Sequence, residues 1–196
     1  MLDQILHYDT ELFLYLNNLG SPSWDGFWLA ITNKFIFGSL MGIVLFVLLY
    51  RKFGLKYTLL LIVVVALMIT FTDQITNLFK RTFERHRPCR TEGVMDQMRF
   101  IAVRCGLYGF FSGHASNSMA VAIFGGLMLR SQHKWLLFAL ISFSLLVAYS
   151  RIYVGVHYPL DIICGLIFGV FSGSAFYKLA QGLLKRFDTS RNRIEK

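Results

Sequence analysis

Charge is scarce in this chain. Asp, Glu, Lys and Arg make up 16% of its 196 residues, where an ordinary soluble domain carries about 25%. Hydrophobic residues make up 55% and fall in long blocks, with a mean hydropathy of +0.53. That excludes an ordinary soluble domain and points to a bilayer as the solvent. The first 20 residues hold Asp3, Asp9 and Glu11 but no Lys or Arg. The basic lead segment of a cleavable signal peptide is therefore missing, and insertion is expected to use the first membrane helix. Three cysteines allow at most one intramolecular disulfide. There is no His-Glu-x-x-His or Cys/His ligand spacing, so no metal and no cofactor are expected. Internal repeats and low-complexity linkers are also lacking, and residues 1–196 read as a single membrane domain.

What the chain has is a series of apolar blocks. Leu12, Tyr15, Leu16 and Leu19 recur at helical spacing, so residues 1–20 predict an amphipathic helix at the membrane surface. Gly20-Ser21-Pro22-Ser23 breaks it, and Trp24 and Trp28 suit a membrane–water boundary. Five spans are predicted, near 27–50, 56–79, 114–130, 134–151 and 159–181, each close to the ~20 residues that cross a bilayer core. Asn33 and Lys34 interrupt the first, so residues 1–34 read as an interfacial lead-in or as a sixth, broken crossing. The expected fold is an all-α polytopic transmembrane bundle with five or six spans plus an N-terminal amphipathic helix. The one long polar connection, 80–111, is of the length that is usually functional.

The formal charge of +9 is distributed at the ends of these blocks. No soluble basic face is available for nucleic acid, which is not expected as a partner. Arg51, Lys52, Lys56, Arg130, Lys134, Lys178, Lys185, Arg186, Arg191, Arg193 and Lys196 fall on one side, which the positive-inside rule makes cytoplasmic. The basic tail 182–196 belongs to that side. The opposite side holds Lys80, Arg81, Arg85, Arg87, Arg90, Arg99, Arg104 and Arg151, where a second reason for positive charge is needed.

Three clusters converge on that outer side by the alternation of spans. They are Lys80 to Arg87-Pro88, Ser112-Gly113-His114, and Ser150-Arg151 through His157 to Asp161. The chemistry they suit is phosphoryl transfer. Lys80, Arg87 and Arg151 offer fixed cations for phosphate oxygens. Ser112 and Gly113 stand before a helix, where free N–H groups favour an anion. His114 and His157 are able to divide nucleophile and general-acid roles. Asp161 lies one helical turn after His157 and is placed to fix its tautomer.

The same three clusters, in the same order, resemble the signature of the type 2 phosphatidic acid phosphatase superfamily. Lys80 to Arg87-Pro88 is similar to its Lys-x6-Arg-Pro motif, Ser112-Gly113-His114 to Pro-Ser-Gly-His, and Ser150-Arg151…His157…Asp161 to Ser-Arg-x5-His-x3-Asp. Phe111 departs from the pattern where Pro is usual. The resemblance implies a metal-independent phosphatase acting through a phosphohistidine, with His157 as nucleophile, His114 as acid and then base, and Asp161 supporting His157. It also implies a lipid phosphate substrate, such as phosphatidate, a prenyl pyrophosphate, phosphatidylglycerophosphate or lipid A. The soluble vanadium haloperoxidases of this superfamily are excluded by the spans. The expected location is a bacterial-type inner membrane, with the site facing the periplasm or exterior, the C-terminus cytoplasmic and no obligate protein partner.

The remaining polar residues receive plainer readings. His7, His86 and His133 read as structural. Arg81, Arg85, Arg90, Arg99 and Arg104 read as helix-end or topology charges. Asp73, within the second span, either orients Lys80 through Asn77 or sits in a hydrated cavity. Cys89 and Cys105 share the outer loop and are expected to bridge, contributing about 3 kcal/mol in the chain-entropy model. Cys164 is expected to stay a free, packed thiol. A non-catalytic lipid-phosphate transporter or binder is the rival reading, but binding alone would need only the cations.

Overall fold

The computed structural model describes residues 1–194, without side-chain detail at 34, 36, 37, 40 and 188–194. Lys196 of the expected basic tail thus lies outside the described residues, and Arg191 and Arg193 are described in backbone alone. Six helices follow in order: α1 (Leu2–Asn18), α2 (Pro22–Thr32), α3 (Lys34–Phe83), α4 (Gly113–Leu129), α5 (Leu136–Tyr153) and α6 (Pro159–Ile194). Two single 3-10 turns, Pro88–Arg90 and Met95–Gln97, punctuate the loop between α3 and α4.

The interruption at Asn33 is a true break. Its backbone is extended (ψ 106°), and its side-chain oxygen accepts the Phe35 N–H at 2.9 Å. That satisfies one of the donors a helix start leaves orphaned. The predicted span at 27–50 is corrected accordingly: its first residues belong to α2, which Pro22 opens, and the helix that holds the rest, α3, starts at 34. Gly54 then breaks α3 with φ 73°, a conformation open to glycine but costly for other residues. Near this turn Lys52 reaches Met128 O (2.6 Å) and Ser131 Oγ (2.7 Å) at the C-terminal end of α4, while Asp73 meets Asn117 near the other end of α4. The two limbs of α3, 34–53 and 55–83, therefore run antiparallel.

Met41–Phe83, Leu136–Tyr153 and Pro159–Phe187 are long and apolar enough to cross a membrane. With α3 folded at Gly54 and α4 packed between its neighbours, five limbs connect the two ends of the bundle. Leu45, Leu49, Leu61, Met68, Phe124, Met128 and Leu140 fill the core among them. No strand occurs among the described residues.

Small residues set the spacing of α4 against α6. A Cβ on Gly165, Gly169 or Gly173 would stand 2.7, 2.5 and 2.5 Å from the carbonyl oxygens of Ser112, Ser116 and Ala120. The two backbones approach as closely as helices with small residues at every fourth position allow. One consequence is that the Ser112 N–H donates to Asp161 O at 3.0 Å. The first turns of α4 and α6 are thereby joined.

α1 and α2 stay at this same end. Asp9, Phe13 and Asn17 form the buried stripe of α1, while Leu12, Tyr15 and Leu19 are exposed. The amphipathic helix exists, but its apolar stripe faces outward and its mixed stripe faces the protein. Asn17 is fully buried, with its amide nitrogen 3.0 Å from the carbonyls of Arg99, Ile152 and Tyr153. Phe13 meets the Tyr158 ring edge-on. On α2, Asp25 accepts from one terminal nitrogen of Arg99, shared between its two oxygens (3.0 Å to each), and from the Tyr153 hydroxyl (2.8 Å). Arg99, read from sequence as a topology charge, is instead the clamp that fastens α2 to the outer loop.

Candidate active site

Gly155, at φ 84°, ends α5 and turns the chain through Val156 and His157 into α6. Tyr158 caps α6, Pro159 takes its first position, and Asp161 is the third helical residue. Asp161 Oδ2 accepts the Tyr158 N–H at 3.1 Å, the backward reach of a capping box. The same oxygen lies 3.2 Å from His157 Nδ1. Local helix chemistry thus fixes the carboxylate that orients the imidazole. His157 is 2% exposed and Asp161 fully buried. Burial, followed by Arg87, Arg151, Lys80 and Arg85, holds the His157 imidazole well below its usual pKa. The ring is therefore neutral, with Nδ1–H donating to Asp161 and the Nε2 lone pair free.

His157 lines a cavity of about 850 Å³ together with His114, Lys80, Arg87 and Arg151. Arg87 is aimed by its backbone surroundings: Nε donates to Tyr108 O (3.0 Å) and one terminal N–H to Val156 O (3.4 Å). Arg151 gives one N–H to the Thr32 hydroxyl. Its Nε is buried with no hydrogen-bond partner among the described residues. Lys80 Nζ stands 3.7 Å from where a Gly113 Cβ would be, which puts the ammonium against the first turn of α4. Gly113 and His114 begin α4, where the first N–H groups have no intrahelical partner. Three cations and a helix N-terminus at one end of a cavity favour a multiply charged anion. Below them the cavity continues between apolar residues, including Leu45, Val65, Ile69, Val121 and Leu140.

Several residues occupy places that sequence reasoning did not give them. Ser112, expected among the phosphate-binding residues, is fully buried behind the cavity. Its hydroxyl accepts from Ala115 N (3.4 Å) and its own N–H goes to Asp161 O. It is the cap that seats α4, leaving Gly113 on the cavity wall. Asp73 lines the cavity, one of the two places expected for it, and accepts from Asn117 Nδ2 on α4 at 2.7 Å rather than pairing with Asn77. Asn117 in turn takes the Thr72 hydroxyl proton. Arg85 is no topology charge: it reaches Asp161 Oδ1 at 3.0 Å and Asp9 Oδ2 at 2.6 Å. Arg81 and Arg104 are exposed.

A disulfide joins Cys89 to Cys105, with Cα atoms 6.3 Å apart, while Cys164 is a free thiol. The bridge links the Pro88–Arg90 turn to the stretch ending in Leu107 and Tyr108. These are the two residues whose carbonyls receive the Arg87 backbone N–H (3.2 Å) and Nε (3.0 Å). The disulfide therefore braces Arg87.

Comparison with known proteins gives a consistent frame. The family model described as PAP2 superfamily matches residues 57–185. The chain is 36% identical to a lipid A 4'-phosphatase of Bacteroides thetaiotaomicron, covering 96% of this chain and 84% of that protein. It is 34% identical to a lipid A 4'-phosphatase of Porphyromonas gingivalis, covering 91% and 75% respectively. A transmembrane PAP2 type phosphatidylglycerolphosphate phosphatase from Bacillus subtilis has the same fold, with a TM-score of 0.70, 18% identity, and coverage of 93% of this chain and 87% of that one.

Proposed function

We propose that this chain, which belongs to the PAP2 superfamily, is a multi-pass membrane phosphatase that hydrolyses a lipid phosphate through a phosphohistidine intermediate. The observation that carries the reading is the pairing of His157 Nδ1 with Asp161 beside the cationic end of a cavity that is apolar along the rest. Such a cavity suits an amphipathic phosphate ester. The substrate class favoured is the lipid A type, a phosphomonoester on a lipid-bearing sugar. Both relatives named as lipid A 4'-phosphatases align along most of this chain.

In the first step His157 Nε2 attacks phosphorus and the P–O bond to the leaving group breaks. His114 gives its proton to the departing oxygen, and the negative phosphate favours the protonated form of His114 beforehand. Lys80, Arg87, Arg151 and the N–H groups at Gly113 hold the equatorial oxygens. Asp161 stabilises the positive charge on the phosphorylated imidazole. In the second step water attacks phosphorus, the P–N bond breaks, His114 takes the water's proton, and inorganic phosphate leaves. The cations stand where a metal would otherwise neutralise phosphate charge. Ser112 acts from behind, as a cap.

The phosphate end of the cavity faces out of the cytoplasm and the C-terminus lies inside, in a bacterial inner membrane. Arg51, Lys52, Lys56, Arg130 and Lys134 at the opposite end support that orientation, as does the Cys89–Cys105 bridge beside the site. The whole chain acts as one unit, α1 and the 84–111 loop covering the site. Phosphate release by purified protein from a panel of lipid A, phosphatidate, phosphatidylglycerophosphate and prenyl diphosphate tests the substrate class. Highest kcat/KM on lipid A is expected; turnover of only the diphosphate would overturn it.

A further inference from the structure

The described mechanism makes no use of the most deeply placed acid of the N-terminal helix. Asp9 is 7% exposed and lies on the protein-facing stripe of α1, in a helix whose other acids, Asp3 and Glu11, are exposed. Its two oxygens are both engaged. Oδ1 accepts the Leu160 N–H at 2.8 Å, in the first turn of α6. Oδ2 accepts from Arg85 at 2.6 Å. The other arm of the same guanidinium donates to Asp161 Oδ1 at 3.0 Å, and the guanidinium carbon lies 4.3 Å from the centre of the Tyr158 ring. Arg85 is thus held on three sides, by α1, by α6 and by an aromatic face.

We infer that Asp9 is a positioning residue for the hydrolytic reaction, acting through Arg85 on the Asp161–His157 pair. This inference rests on the phosphohistidine reading. With two carboxylates to serve, Arg85 gives Asp161 a single N–H and leaves Oδ2 to His157 and Tyr158 N. Were Asp9 neutral, nothing would oppose a bidentate grip of Arg85 on Asp161, because a planar guanidinium prefers two parallel bonds to one carboxylate. Oδ2 would then be drawn from His157 Nδ1, and the carboxylate would lose the charge density that supports a phosphorylated imidazole. Asp9 also fixes the α6 backbone one residue before Asp161, so it sets both the charge and the place of that side chain. Burial raises the Asp9 carboxyl above its usual pKa, and the Arg85 and Leu160 hydrogen bonds draw it back only in part. Arg85, Asp161, Tyr158 and Cys164 are the titratable groups facing it.

The geometry gives α1 a role beyond surface attachment. Its outward stripe of Ile5, Leu12, Tyr15 and Leu19 is exposed and suited to the membrane interface, while its inward stripe completes the support of the nucleophile. Neither half of the contact is local: Asp9 is 76 residues from Arg85 and 151 from Leu160.

The test compares full-length wild type, Asp9→Asn, Asp9→Glu and His157→Ala in detergent, on the best lipid phosphate of the panel. Asn keeps an oxygen for the Leu160 N–H and removes the charge; Glu keeps the charge. Asp9→Asn is expected to lower kcat by about 10- to 100-fold, the range seen when a group orienting a functional side chain is lost. KM should stay within about twofold, because the phosphate cations are untouched. The single-turnover rate of phosphoenzyme formation should fall by the same factor as kcat. Asp9→Glu should recover part of that loss. Wild-type kcat in Asp9→Asn, or a loss confined to the folded fraction with kcat per vanadate-titrated site unchanged, would overturn the inference. If Asp9→Asn fails to fold, Asp9→Ser takes its place as the uncharged variant: lowered kcat with unchanged KM supports the role, and wild-type kcat and phosphoenzyme rate overturn it. Turnover by His157→Ala would remove the underlying reading instead, whatever Asp9 does.

Discussion

The backbone N–H of Ser112 donates to the carbonyl of Asp161 at 3.0 Å, tying the start of the helix that carries His114 to the start of the helix that carries Asp161. Two histidines 43 positions apart in sequence are thus held by one short link between helix ends. The link exists because Gly165 lets the α6 backbone lie against Ser112 O, where a Cβ would stand at 2.7 Å.

Gly165→Ala should therefore force α4 and α6 apart. Overpacking of this kind costs about 1–3 kcal/mol. A lower thermal midpoint in detergent is expected, with reduced kcat, because His114 and His157 no longer share a fixed frame. An alanine variant with wild-type midpoint and kcat would show that the close approach is unimportant.

Asp161→Asn keeps the shape of the side chain and removes its charge. The isosteric amide holds the wrong hydrogen-bond pattern for a His157 that must keep its Nε2 lone pair free. A fall in kcat of about 10³- to 10⁴-fold is expected, with KM changing much less. Steady-state phosphate release measures both constants. A dominant effect on KM would place Asp161 in substrate binding instead.

Stability should depend on pH through His157. Burial, then Arg87, Arg151, Lys80 and Arg85, lowers its pKa below the usual 6.5, so the unfolded chain binds the proton first. The corresponding stability is complete above about pH 6.5 and declines as pH falls below it, by at most about 1.4 kcal/mol per unit. Unfolding midpoints of wild type and His157→Gln, compared between pH 7 and 5, check this. Wild type should lose more than the variant. Equal losses would mean that His157 is not held neutral.

Reduction of the Cys89–Cys105 bridge should weaken substrate binding as well as stability. A loop of this length contributes about 3 kcal/mol in the chain-entropy model. Because the bridge braces Arg87, KM should rise more than kcat falls in Cys89→Ser. Alkylation without reductant, followed by mass spectrometry, should leave both cysteines unlabelled. Labelling of both would refute the bridge and weaken the outward orientation of the loop.

Much of this site was legible in the sequence because its chemistry is written in local motifs. Lys80, Arg87, Gly113, His114, Arg151, His157 and Asp161 each belong to a short run, and hydropathy alone assigns all three runs to one end of the bundle. Asn33 announced a break by its polarity, although only the structure separates α2 from the crossing. Asp9 and Arg85 escaped notice because their pairing spans 76 residues, and no local pattern marks a bond of that range. The inward face of α1 went unread for a different reason. Periodicity reveals a stripe but not which solvent it meets. In a membrane protein the apolar stripe can turn to lipid while a mixed stripe, here Asp9, Phe13 and Asn17, turns inward. Ser112 shows a third limit: sequence places it before a helix, and only its hydrogen bonds decide between cap and ligand.

Covalent catalysis by His157 passes through a phosphohistidine that can be trapped. The most direct measurement mixes enzyme with lipid phosphate in EDTA, quenches in alkali within the first turnover, and locates phosphate by mass spectrometry. Phosphate is expected on His157 in wild type, with turnover undiminished by EDTA and trapping abolished in a folded His157→Ala variant that releases no phosphate. Phosphate release at the wild-type rate by His157→Ala, with no phosphorylated histidine in either protein, would contradict it.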